Sequence, residues 1–106
     1  MRVVRQLEEC RDALRVAGDV CEMITSENSG CSAGVGYWYA VQEILREEFP
    51  HRDFTLYVCC GDNAAIAHDA MRLGLNVRCE ANETMSAKLQ TIADAQGVKF
   101  LDNAAA

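Results

Sequence analysis

Hydrophobic and polar positions along the chain follow two periods, and the switches between them mark the elements. Val3, Leu7, Cys10, Leu14 and Ala17 recur at helical spacing with charge between them, which predicts an amphipathic helix over residues 3–17. Gly18 is the expected left-handed stop, and Asp19 opens the next connection. Residues 20–25 then read as a strand, with Glu22 as its one awkward member. A carboxylate in mid-strand calls for an edge position or a cationic neighbour. Residues 26–32 are turn formers and caps throughout. A helix is predicted from about Ser32 to Glu48, where Trp38, Val41, Ile44, Leu45 and Phe49 share a face and Pro50 ends it.

The centre of the chain is the run Phe54-Thr-Leu-Tyr-Val-Cys-Cys-Gly-Asp-Asn. Residues 54–59 are apolar or β-branched and lead straight into Gly61, so a buried strand turns directly into a helix. That helix is predicted over residues 63–73, with Asp62 as N-cap, Ile66, Ala70 and Leu73 inward, and Gly74 as its stop. Residues 76–80 form a short strand. Met85, Leu89, Ile92 and Ala93 mark a last helix that ends at Gly97, and residues 98–101 a final strand.

The reading is helix–strand repeated four times (αβαβαβαβ). Such alternation specifies the α/β class with a mostly parallel sheet and right-handed crossovers. One domain is expected over residues 1–102, with a loose tail over residues 103–106. A doubly wound, three-layer order is favoured, because it covers both sheet faces. In the alternative, a sequential order like half of a (β/α) barrel, one face is bare. The polar strand positions Glu22, Thr55, Tyr57, Arg78 and Lys99 would then share that face, which would need a partner.

Composition narrows the function classes. Half of the 106 residues are hydrophobic and the net charge is −6, which suits a globular core and leaves no basic face for nucleic acid. The start of the chain is charged from its second residue, and no apolar run is long enough for a bilayer span, so membranes are excluded and the cytoplasm is expected. The six cysteines are accordingly expected as free thiols, mostly small packing residues.

Candidate chemistry gathers in the strand-to-helix loops, which open on one edge of such a sheet. They offer Glu27, Gly30, Cys31 and Ser32, then Cys60, Gly61, Asp62 and Asn63, then Glu80, Asn82 and Glu83. Gly30, Ser32, Gly61 and Asn63 are loop-shaping. None of the loops carries a basic residue, and the glycine-rich stretch 29–36 lacks a Walker lysine and dinucleotide spacing, so a phosphate cradle is disfavoured. Gly34 and Gly36 are read instead as allowing close approach of helix and strand. Glu27, Asp62 and Glu80 suit a small ligand or divalent cation. No other cofactor is called for. Cys60, beside a helix N-terminus, is the nucleophile candidate for a thiol enzyme or redox sensor, although neither His51 nor His68 is placed to serve it as base. Cys59 is read as packing.

The acidic edge is superficially like that of response-regulator receiver domains, but no paired acids follow the first strand. Residues 33–75 resemble small bacterial α/β proteins with a strand–Cys-Gly-Asp–helix element, a resemblance that brings no function with it. The expectation drawn from all this is a non-catalytic interaction or assembly module that forms a homodimer. The alternatives are a small-molecule or cation site at the acidic loops and a thiol site at Cys60.

Overall fold

The computed structural model describes residues 1–18, 20–27 and 29–102. The chain order is β1 (Arg2–Val4), α1 (Leu7–Val16), β2 (Val20–Thr25), α2 (Ser29–Ser32), α3 (Val35–Glu48), β3 (Asp53–Cys59), α4 (Ala64–Arg72), β4 (Asn76–Arg78), α5 (Glu83–Gln96) and β5 (Phe100–Leu101). The α/β class with a parallel sheet holds. The sheet has five strands in the order β1-β2-β3-β4-β5, every neighbouring pair parallel.

That sequential order corrects the doubly wound, three-layer expectation. Each strand lies beside the one before it, so right-handed crossovers carry every helix to the same face. The core confirms the consequence. Val4, Cys21, Met23, Leu56, Val58, Cys60, Val77 and Cys79 enter one buried cluster with Leu14, Trp38, Leu45, Met71 and Leu89 from the helices. All of those strand positions have the same pleat parity. Among the described residues the helices thus lie on one sheet face and no element lies on the other, where Ile24, Tyr57 and Cys59 are nonetheless only 5–9% exposed.

The additional strand is β1. Val3 and Leu7 have helical spacing, but Arg2, Val3 and Val4 pair with Met23, Ile24 and Thr25, and α1 begins only at Leu7. Gly18 does not stop that helix in a left-handed conformation. The helix closes on extended Ala17, and the Arg52 guanidinium donates to the carbonyls of Ala17 and Gly18 at 2.6 and 2.8 Å. The expected helix over residues 32–48 is broken at Gly34, whose φ of 90° separates the single turn α2 from α3. Leu73, expected inward, is 42% exposed, and Ala67 and Met71 take the inward positions of α4. The predicted tail over 103–106 and the connection at Asp19 lie outside the described residues. Among the described residues no helix is long and apolar enough to cross a membrane.

Candidate functional site

The helix-free face is organised in rows by the strand register. Val3, Ile24, Tyr57 and Asn76 lie side by side across β1 to β4. Lys99 follows, its N–H donating to Asn76 Oδ1 at 2.9 Å. Glu22 and Thr55 are paired one row toward the amino ends, and Cys59 and Arg78 one row toward the carboxyl ends. Val20 belongs to the same face by alternation. Lys99 Nζ reaches back across the face to Thr55 Oγ1 at 3.5 Å. Burial, followed by the charge of Glu22, raises the Tyr57 hydroxyl above its ordinary pKa. The face thus has an apolar half over β1 to β3, acidic at Glu22, and a cationic half over β4 and β5.

At the carboxyl end of this face lies a recess of about 290 Å³. Val3, Ile24 and Thr25 line one side, Cys59 and Arg78 the floor of the sheet, and Ser26, Glu27, Gly61 and Glu80 the loops. Its frame is tied by backbone. The Cys59 N–H donates to Thr25 Oγ1 at 2.9 Å, the Cys60 N–H to the Arg78 carbonyl at 2.8 Å, and the Glu80 N–H to the Gly61 carbonyl at 2.7 Å. Gly61 has a φ of 58°, a left-handed turn between β3 and α4 that glycine adopts without strain.

Two of the three acidic candidates, Glu27 and Glu80, do meet at the recess. Asp62 is exposed and does not line it, nor does it cap α4. The cap is Asn63, whose Oδ1 accepts the Ile66 N–H at 3.0 Å. The edge is not purely acidic either, because Arg78, a strand residue the loop-by-loop reading passed over, faces the same recess. Among the described residues no three His, Cys, Asp or Glu side chains lie close enough to hold one metal ion. Of the expected set Glu27, Asp62 and Glu80, the recess brings together only Glu27 and Glu80.

Cys59 and Cys60 take opposite sheet faces, and both are buried. Cys60 follows the parity of Leu56 and Val58 into the helix-covered core, where it is fully buried. Burial, with smaller contributions from the neighbouring Cys79, Cys31 and Cys59, pushes its thiol up to about 12. Burial of this kind disfavours the thiolate, which is the nucleophilic form. Cys59 is the one on the open face. All six cysteines are free, and Cys31 alone is exposed.

Gly30, Gly34 and Gly36 also exchange roles. A Cβ on Gly30 would meet Cys60 Sγ at 3.0 Å, the Cys59 carbonyl at 3.1 Å and Val58 Cγ1 at 3.1 Å, whereas at Gly34 and Gly36 nothing lies within 4 Å. Close approach of helix and central strand is therefore required at Gly30. Ser32 is exposed at the end of α2. We expect Gly30→Ala to destabilise by about 1–2 kcal/mol, the clash with a strand carbonyl outweighing the gain in helix propensity. Gly36→Ala, in the first turn of α3 with open space around it, should instead stabilise by about 0.5–1 kcal/mol. Urea midpoints of the two variants should move in opposite directions.

Comparison with protein-family models, curated proteins and solved structures finds no match to this chain.

Proposed function

We propose that the protein is a cytoplasmic, non-catalytic assembly module that dimerises by placing the helix-free sheet faces of two copies together. One observation carries this reading: an all-parallel sheet with helices on a single face. Parallel sheets otherwise occur almost only with both faces covered. The apolar half of the face continues into exposed Val3 and Val20, beside Val16 and Met1 at the open edge of β1. A patch of that kind on a small acidic domain marks an interaction surface.

A second copy is the occupant that the charges favour. A two-fold axis parallel to the strands lays β1 and β2 of one copy over β4 and β5 of the other. Glu22 then meets Lys99 of the partner subunit, and the apolar half covers the cationic half. The same operation aligns the two sheets as two halves of one barrel, with open edges β1 and β5 brought toward each other. An isologous interface holds each such pair twice. Cytoplasmic residence fits six thiols that remain unpaired.

Sedimentation velocity at micromolar concentration should show a dimer. Glu22→Lys or Lys99→Glu alone should weaken it about tenfold or more, because each reversal acts at two places and places like charges together. The charge-swapped double variant should recover most of the affinity. A monomer across the whole micromolar range, or a swap that adds the two losses instead of cancelling them, would refute the arrangement.

A further inference from the structure

We propose that the recess at the carboxyl end of the open face binds a small zwitterion with an aliphatic body, an amino acid of the leucine or valine kind. Its lining belongs to one chain, but Val3, Ile24, Cys59 and Arg78 lie on the face that pairs, so the inference requires a dimer that leaves the carboxyl-end mouth open.

Arg78 sits half-buried in the recess, and among the described residues its guanidinium closes no ion pair or hydrogen bond. Glu27 and Glu80 border the same space and are exposed, and neither pairs with Arg78. An anion alone would gain the guanidinium but face two carboxylates. A cation alone would gain the carboxylates but be opposed by Arg78, and no metal-ligating cluster is present to hold it. A ligand with both signs satisfies all three groups. A carboxylate takes the planar fork of the guanidinium in two parallel bonds, a geometry that suits arginine in particular. An ammonium group is then left to Glu27 and Glu80.

The remaining wall is apolar. Val3 and Ile24 flank the charged groups and offer surface to an alkyl side chain. The other polar groups of the frame are already engaged. Thr25 Oγ1 accepts from the Cys59 N–H, and the Ser26 and Ser29 hydroxyls bond each other at 2.7 Å. Recognition therefore falls to the two charges of the ligand and its hydrocarbon. At about 290 Å³ the recess lies at the small end of ligand pockets, which excludes nucleotides and extended cofactors.

The test is calorimetric titration of the full chain with L-leucine, and with two probes that each lack one charge, 4-methylpentanoate and 3-methylbutylamine. L-leucine should bind with a dissociation constant in the submillimolar to millimolar range, and each single-charge probe at least about tenfold more weakly. Arg78→Gln should abolish binding of L-leucine, while Glu80→Gln should narrow its advantage over 4-methylpentanoate. Thermal melts of both variants should stay close to the wild type, because among the described residues neither side chain closes an ion pair or hydrogen bond. Absence of L-leucine binding at about 10 mM, equal binding of 4-methylpentanoate, or unchanged binding by Arg78→Gln would overturn the proposal. Repeating the titration with the Glu22→Lys monomer separates the two readings. Retained affinity there supports a site within one chain, and affinity lost with the dimer overturns it.

Discussion

Stability should fall steeply once the pH passes about 9, and the loss should trace to three buried thiols. Cys10, Cys60 and Cys79 have no exposed surface. Burial raises Cys10 and Cys60 to about 12 and Cys79 to about 11, from an ordinary 9.0. Neighbouring charge adds to burial, chiefly from Glu9 at Cys10 and from Asp62 at Cys79. Between the ordinary and the raised values the unfolded chain gives up protons that the folded one keeps. Rising pH therefore favours the unfolded state. The stabilisation is complete below the ordinary thiol value and is lost as pH climbs toward the raised ones.

Each thiol contributes a slope on the order of 1 kcal/mol per pH unit, and Cys21 and Tyr57, also raised by burial, act in the same direction. A domain of this size has a total stability of roughly 5–15 kcal/mol, which such a slope removes within a few pH units. Melting curves followed by circular dichroism from neutrality upward should show the decline. Cys10→Ala or Cys60→Ala should each flatten it by up to about one third, whatever it does to the neutral-pH baseline. An unchanged slope in both variants would mean that the thiols titrate normally in the folded protein.

How far the sequence discloses this arrangement depends on the range of the interaction involved. Strand β2 and the start of β3 are legible to within a residue, because local alternation and flanking charge define them. Strand β1 is not, since Val3 and Val4 satisfy a helical spacing with Leu7 as well as they satisfy a strand. Only pairing with Met23 to Thr25 decides between the two. The bare face was legible in part. Glu22, Thr55, Tyr57, Arg78 and Lys99 alternate with apolar positions, whereas a parallel strand buried on both faces reads as a continuous apolar run. The favoured doubly wound order conflicted with that alternation, and the alternation was the better guide.

The same parity places Cys60 with Leu56 and Val58, inside, and Cys59 with Tyr57, on the open face. Position before a helix carries no information on which sheet face Cys60 takes. Arg78 was missed at the recess for a related reason. It is the last residue of a strand and contributes to the mouth through the pleat, so sorting residues by loop leaves it out. Gly30 is a different case. Its need for a missing Cβ arises from atoms of Val58, Cys59 and Cys60, about thirty positions away, and no local pattern encodes it.

Trp38→Ala should be the most damaging single substitution in the helix layer. The pattern of α3 placed Trp38 on the apolar face, and the structure gives it no exposed surface and a contact that spacing alone does not reveal. Its indole N–H donates to the Ser29 carbonyl at 3.3 Å, and its ring meets Tyr37 edge-on with centroids 5.0 Å apart. Tyr37 in turn accepts the Leu7 N–H at its hydroxyl, at 3.3 Å. Ser29 opens the turn that carries Gly30 against β3. Trp38 thus joins α3 to α2, and through Tyr37 to the first turn of α1. Truncation to alanine removes the largest buried side chain and leaves a cavity at the junction of these elements, a loss of about 3–5 kcal/mol. Trp38→Phe keeps most of the volume and gives up the hydrogen bond, so about 1–2 kcal/mol is expected. The two losses correspond to melting temperatures lower by at least about 12 °C and about 4 °C. Circular dichroism is the measurement to use, because both variants remove the only tryptophan in the chain. Should Trp38→Phe cost as much as Trp38→Ala, the hydrogen bond to Ser29, and not the packed volume, would be what holds α2 and α3 together.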